Sequence, residues 1–259
     1  MTEELKDQLA IVTGAARGIG AAISRQLAQM GAYVILAARD RSKLAEVHSQ
    51  ITGEGGQAEI IELDLISESS VNALAEAVKS KHNRCDILIN NAGIGILGKP
   101  LTELAPEDWD RQMNTNLRGP YLMIRALAPI MIAAQSGHII NISSLAGRNP
   151  LPNGAAYSAS KWALNGLTYS LAEELRPHKI RVSVIAPGSV DTSFGRSAPG
   201  NPRKIQPADV AHVVAMLVTQ GATVLRQRSP PSPHAEALTN IRLNQCPAGK
   251  WKEYSPETR

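Results

Sequence analysis

Short apolar runs alternate with longer amphipathic segments through most of the 259 residues. The runs occupy 9–12, 33–36, 59–63, 87–89, 139–142 and 182–185, and most are rich in Ile, Val and Leu. Near-continuous apolar runs of this length fit strands of a parallel sheet covered on both faces. Between them, residues 19–30, 42–52, 69–81, 106–134, 154–176 and 207–219 carry the helical period. Six such units in tandem predict one α/β domain with a doubly wound parallel sheet. Right-handed crossovers give the strand order 3-2-1-4-5-6, with room for a shortened seventh strand at the edge. In such a sheet ligands gather beyond the carboxyl ends of the strands, near the switch between the first and the fourth. Gly14, Asn90, Ser144 and Pro187 each follow a predicted strand, so motifs far apart in sequence converge on one crevice.

Composition changes this picture little. Hydrophobic residues make up 43% and charged residues 19%, ordinary values for a globular enzyme. No run approaches 18 uninterrupted apolar residues and the first six residues hold no apolar core, so we expect no membrane span and a cytoplasmic protein. Cys85 and Cys246 lack metal-ligand spacing and are expected as free thiols. The net charge of +4 is concentrated at the end of the chain: residues 225–259 hold six Lys/Arg against three Asp/Glu, residues 1–224 hold 21 against 20. A nearly neutral body argues against a nucleic-acid partner.

Two patterns carry chemistry. Glycines at 14, 18 and 20, within Thr13-Gly14-Ala15-Ala16-Arg17-Gly18-Ile19-Gly20, stand where a strand gives way to a helix. Positions without side chains allow close backbone approach, and the helix N-terminus offers unpaired N–H groups and a positive dipole to a pyrophosphate. Further on, Lys161 follows Tyr157 by four residues, which puts an ammonium and a phenol on one helix face. Alone, each pattern is weak: the glycines could make a mere turn, and the pair could be a surface cation beside a half-buried aromatic. Together, and downstream of Asn90-Asn91-Ala92-Gly93 and Ser143-Ser144, they describe a site that moves a proton alongside a hydride.

With these pieces in this order, residues 6–220 resemble the short-chain dehydrogenase/reductase family. The resemblance rests on Thr13-Gly14-x-x-x-Gly18-x-Gly20, Asp64, Asn90-Asn91-Ala92-Gly93, Asn116, Ser144, Tyr157, Lys161 and Pro187-Gly188. It implies a Rossmann fold and an oxidoreductase that binds NADP(H) and reduces a small carbonyl compound, most like the 3-oxoacyl thioester reductases. Asn116, Ser144, Tyr157 and Lys161 are the implied catalytic residues. Tyr157 is the proton donor, and Lys161 lowers its pKa and holds the nicotinamide ribose. Ser144, thirteen residues before Tyr157 as in the family, is preferred to Ser143 for bonding the substrate oxygen. Asn116 matches a position that supports a water chain from Lys161, and its place inside a helix predicts a local kink. For the cofactor, the resemblance implies Gly14, Gly18, Ile19 and Gly20 at the phosphates, Asp64 and Leu65 at the adenine, and Asn91, Ala92 and Gly93 at the adenosine ribose. It also implies a homodimer or homotetramer built on the helices at 106–134 and 154–176.

The choice of dinucleotide turns on the end of the second strand. An NAD enzyme needs an acid there; this chain has Ala37-Ala38-Arg39. Arg39 and Arg17 are expected to converge on the 2'-phosphate of NADP through charge-assisted hydrogen bonds. After the sixth strand, Pro187 directs the chain, Gly188 lets the nicotinamide ring approach, and the Val190 amide and Thr192 hydroxyl grip its carboxamide. Motif positions place Leu145, Ala146, Arg148, Asn149, Leu151, Trp162 and Phe194 around the substrate. The short loop after Thr192 makes the pocket open and largely apolar.

The leading expectation is an NADPH-dependent carbonyl reductase. An alcohol or sugar dehydrogenase working oxidatively is the second enzyme reading, and a dinucleotide-binding regulator without chemistry is the third. The pattern breaks after 219: Pro230, Pro231 and Pro233 interrupt any strand or helix. The expected division is a catalytic domain at 1–225, with residues 223–225 as the shortened seventh strand, and a disordered or foreign tail at 226–259.

Overall fold

Alternate residues of each central strand enter two separate apolar cores, which is why these runs are apolar at almost every position. Ala10 and Val12 face one core with Val34, Leu36, Ile87 and Ile89, whereas Leu9 and Ile11 face the other with Ile35 and Leu88. The computed structural model describes residues 4–196, 200–220 and 240–243. Its strands are β1 (Leu9–Thr13), β2 (Tyr33–Ala38), β3 (Gln57–Glu62), β4 (Ile87–Asn90), β5 (Gly137–Ile142), β6 (Ile180–Pro187) and β7 (Asn240–Leu243). Among the described residues they form one sheet in the order β3-β2-β1-β4-β5-β6-β7, with every pairing parallel.

Helices α1 (Gly18–Gln29), α2 (Arg41–Gly53) and α7 (Pro207–Thr219) cover one face; α3 (Glu68–Lys81), α5 (Gly119–Ala134) and α6 (Ala155–Leu175) cover the other. The short α4 (Pro106–Met113) leads into α5 through a π-helical turn, Asn114–Arg118, so the segment expected as one kinked helix is broken at Asn116. By length and composition Pro106–Ala134 could cross a membrane. In this fold Leu122, Met123, Leu127 and Met131 bury its apolar side in the second core.

Local chemistry sets the helix starts. The Asp40 side chain caps α2 by accepting from Lys43 N, and Ser67 caps α3 by accepting from Ser70 N. Arg17, at the corresponding place before α1, is extended (φ −166°) and makes no side-chain cap bond.

The seventh strand differs from expectation. Residues 223–225 lie outside the described residues, and the strand beside β6 is Asn240–Leu243, inside the segment expected to be a disordered tail. Apart from those four residues, 226–259 also lies outside what the structure describes.

Candidate active site

The glycine turn is locked to the end of β4 by a threonine and an asparagine. Thr13 Oγ1 accepts from Asn91 N (3.0 Å) and Ala92 N (3.1 Å), and Asn91 Nδ2 donates back to the Thr13 carbonyl (2.9 Å). Gly14 has φ +68°, and a Cβ on it would fall 2.9 Å from Ala92 Cα; a Cβ on Gly20 would collide with the Gly14 carbonyl. Together these contacts leave the N-terminus of α1 uncapped and without an acidic residue in its first turn. First-turn N–H groups with no side-chain acceptor, at the positive end of a twelve-residue helix, fit a pyrophosphate. Asp64 and Leu65 follow β3, and the Leu65 side chain is buried against Gly119 at the start of α5.

Across the sheet, buried amides hold the strand ends in register. Asn90 Nδ2 donates to Asn141 Oδ1 (2.9 Å), and Asn141 Nδ2 donates to Thr168 Oγ1 on α6 (2.8 Å). Asn116, in the π turn, accepts from Ile94 N (2.8 Å) and donates to Ile94 O (2.9 Å) and Ser160 Oγ (3.0 Å). The widened turn therefore frees a side chain to pin the segment after Gly93 to α6. A Cβ on Gly93 would lie 3.3 Å from Asn116 Oδ1 and 3.5 Å from Lys161 Nζ, so these three positions meet.

Tyr157 and Lys161 sit one turn apart on α6, 8% and 4% exposed. The two serines before them divide their roles. Ser143 is buried and its hydroxyl donates to the Lys161 carbonyl (3.4 Å). Ser144 is hydrogen-bonded to Tyr157, a contact that favours the phenolate, but burial outweighs it and the Tyr157 pKa is raised. Burial also pushes Lys161 down, to about 8. Its Nζ donates to the Ile142 carbonyl (2.9 Å) and lies 5.9 Å from the Tyr157 ring centroid. Desolvation is the larger influence on Tyr157, and the Lys161 ammonium faces its ring and a carbonyl.

A model of the short chain dehydrogenase family matches residues 8–201. The chain belongs to the short-chain dehydrogenases. An uncharacterised oxidoreductase of Staphylococcus saprophyticus is 38% identical over 225 residues, spanning 85% of this chain and 95% of the relative. One from Staphylococcus aureus is 34% identical over 221 residues, spanning 85% and 94%. Among solved structures, a metagenomic short-chain oxidoreductase in complex with NADP is 48% identical with a TM-score of 0.78, covering 92% of this chain and 98% of that one. An alcohol dehydrogenase of the archaeon Thermococcus sibiricus, complexed with 5-hydroxy-NADP, is 27% identical with a TM-score of 0.81, covering 95% and 99%.

In this short-chain dehydrogenase, the other residues named from motif positions make contacts of their own. Arg17 NH1 donates to Ser193 Oγ on the loop after β6, at 3.4 Å. Its reach is set by the loop after β6, where Thr192 lies against Gly18: a Cβ there would be 3.2 Å from Thr192 Cγ2. Arg39 is exposed at the end of β2. Val190 is held by a parallel bridge to Ile205, and Thr192 Oγ1 accepts from Phe194 N at 3.3 Å. Arg148 donates to Tyr169 Oη (3.4 Å), three turns along α6 from Tyr157. Trp162 is 54% exposed on another face of α6.

Phe194 does reach the site. Its ring centroid lies 5.6 Å from that of Tyr157, tilted by 53°. The short-chain dehydrogenase also uses residues that sequence reasoning passed over: Thr13, Asn141, Ser160 and Gln112. Thr13 was visible as the first letter of its own motif. Asn141 and Ser160 are polar residues inside apolar patterns and Gln112 is one of several polar residues of α4, so burial is the trait that distinguishes them.

Proposed function

We propose that this short-chain dehydrogenase is an NADPH-dependent reductase of ketone and aldehyde carbonyls, favouring 3-oxoacyl compounds of moderate length over sugars. The observation that carries this reading is Tyr157, buried, hydrogen-bonded to Ser144 and faced by the Lys161 ammonium. A phenol so placed gives a proton to the carbonyl oxygen in reduction, and its phenolate takes one back in the reverse step. Bound NADPH supplies a hydride to the carbonyl carbon. A substrate oxygen resting between Ser144 Oγ and Tyr157 Oη takes hydrogen bonds from both as negative charge builds on it, and takes the proton from Tyr157. The ammonium of Lys161, at the face of that ring, then stabilises the phenolate.

Three features support NADPH. β2 ends in Ala37-Ala38 with no acid to accept from ribose hydroxyls, and Arg39 beside it is exposed. The next residue, Asp40, is engaged as the cap of α2. The similar metagenomic enzyme holds NADP. The likeness to an alcohol dehydrogenase favours the second reading, oxidation of an alcohol, and the missing acid at the end of β2 favours reduction with NADPH. A non-catalytic regulator is disfavoured because Asn116, Ser144, Tyr157 and Lys161 all converge. We also propose dimers or tetramers formed through the outer faces of α5 and α6, where Tyr121 and Trp162 are exposed; a monomer by light scattering at micromolar concentration would remove that part.

The test is a panel of 3-oxo esters and diketones with NADPH, run beside polyols with NADP. Turnover of the esters with NADPH is expected. Strong turnover of a polyol with NADP, and none of any ester, would overturn the proposal.

A further inference from the structure

Gln112 is a buried polar residue for which the chemistry above has no use. It is the single fully buried residue of α4, 0% exposed, at a place where an amphipathic helix ordinarily turns an apolar side chain inward. Its Oε1 accepts from Ile96 N at 2.9 Å, and its Nε2 has no hydrogen-bond partner among the described residues. Gln112 precedes Asn116 by four positions, so two amides on one side of the broken helix grip the same segment. Asn116 holds Ile94 by its N–H and its carbonyl, and Gln112 holds Ile96. Beyond them, Gly98 N donates to the Asn153 carbonyl at 2.8 Å.

The residues between these anchors form a wall beside the catalytic tyrosine. A Cβ on Gly95 would lie 2.7 Å from Phe194 Cε1, so only a glycine lets that ring close on the segment. Leu97 packs over two more glycines: a Cβ on Gly154 would be 3.1 Å from its Cδ2, and one on Gly195 would be 3.5 Å from its Cδ1. Leu97, Leu151 and Phe194 are exposed apolar side chains from three different loops, gathered where the Phe194 ring meets Tyr157. Such a rim fits an aliphatic or aryl substituent next to the reacting carbonyl and offers nothing to a polyhydroxylated one.

We propose that Gln112 is a positioning residue: by holding Ile96 it sets the segment 94–98 as the apolar wall that seats the flank of the carbonyl substrate beside Tyr157. The proposal rests on the carbonyl reductase reading for its substrate, but its geometry is measurable without turnover. In the parent protein the Ile96 amide should exchange slowly with deuterium, because its N–H donates to a buried acceptor. Gln112→Met keeps the length and loses the acceptor. It should speed exchange across 94–97 by about tenfold or more. It should also raise KM for an aryl or alkyl 3-oxo ester roughly fivefold with a smaller change in kcat. KM for a two-carbon aldehyde and Kd for NADPH stay at the parent values, because neither depends on the wall. Gln112→Glu keeps an acceptor oxygen in place and restores slow exchange and the parent KM. If the Met variant does not fold, Gln112→Asn withdraws the acceptor by one methylene and is held to the same outcomes.

An Ile96 amide that exchanges at the unprotected rate in the parent overturns the proposal. So does a Met variant with unchanged ester KM, or one in which both substrates and NADPH weaken together, which marks a merely structural residue. A protein that turns over no carbonyl at all sinks the reductase reading, while the exchange of 94–97 still decides whether Gln112 holds the wall.

Discussion

Burial moves the pKa values of Tyr157 and Lys161 in opposite senses. It disfavours the charged form of each, raising the phenol and lowering the ammonium to about 8. Tyr157 therefore waits as an acid, and Lys161 keeps its charge only below about pH 8. Reduction should run at a constant kcat from pH 6 to near 8 and fall as Lys161 deprotonates, since the phenolate left by proton donation then has no cation. A profile that stays flat to pH 9.5 would count against that role. Stability moves the other way: between about 8 and the ordinary 10.5 the unfolded chain binds the extra proton, so the Lys161 contribution rises with pH across that window. Tyr157→Phe removes the donated proton and almost no volume. We expect reduction to drop by about 10²-fold or more, the usual scale of general-acid catalysis, with NADPH binding retained by titration; activity within threefold of the parent would reject Tyr157 as the donor. The pair itself was legible because a four-residue step is a statement about one helix face. Trp162 was misplaced for the same reason, since five positions past Tyr157 carries a side chain about 500° around the helix, to another face.

At the scale of elements, what could be read depended on whether the signal is local. Helix starts at Asp40 and Ser67 are local chemistry, and the kink at Asn116 follows from an amide inside a helical pattern. The clamp that Asn116 and Gln112 make on 94–96 is not local: nothing in the order of residues says that a glutamine is buried. The β2–α2 junction gives the cofactor prediction. Arg39 has no free acid beside it because Asp40 is engaged as the helix cap, and one charge-assisted contact to a 2'-phosphate is worth roughly 1.5–3 kcal/mol, more than tenfold in affinity. Arg39→Asp should invert or erase a preference for NADPH over NADH in kcat/KM; an unchanged ratio would show that the arginine faces solvent. At the other end of the sheet, His138 on β5 and Ser183 on β6 meet at 2.9 Å, fully buried, and His138 Nδ1 has no partner among the described residues. Desolvation first, and then nearby Arg181, holds the His138 pKa well below 6.5. Below pH 6.5 the unfolded chain takes up a proton that the fold refuses, so stability falls as pH drops from there. His138→Gln should flatten the decline of Tm between pH 6.5 and 5, and an equally steep decline in that variant would assign it to other groups.

For the whole molecule, the alternation of runs and helices contained the sheet order from β3 to β6, because right-handed crossovers leave few other ways to connect such units. It did not contain β7. A four-residue edge strand, Asn240-Ile241-Arg242-Leu243, follows a proline-rich stretch and has too short a pattern to stand out, so its strand character comes from β6 and not from its own sequence. Its position makes the end of the chain matter to the site. Pro187, the last residue of β6 and the start of the loop that carries Gly188, Val190 and Thr192, pairs with Leu243. Sequence alone leads one to expect that a chain ending at Arg228 keeps its melting temperature and activity; the paired strand reverses that expectation. Losing the β6–β7 ladder removes several backbone hydrogen bonds at about 0.5–1.5 kcal/mol each, and each kcal/mol moves Tm by roughly 2–4 °C in a domain of this size. We expect the shortened chain to melt about 5–10 °C lower and to bind NADPH more weakly, because the loop at the end of β6 loses the neighbour that fixes its first residue. Scanning calorimetry and NADPH titration of the two chains check both effects. A shortened chain with the parent Tm and the parent Kd would show that β6 does not depend on its edge partner, and that residues 226–259 are the dispensable tail their composition resembles.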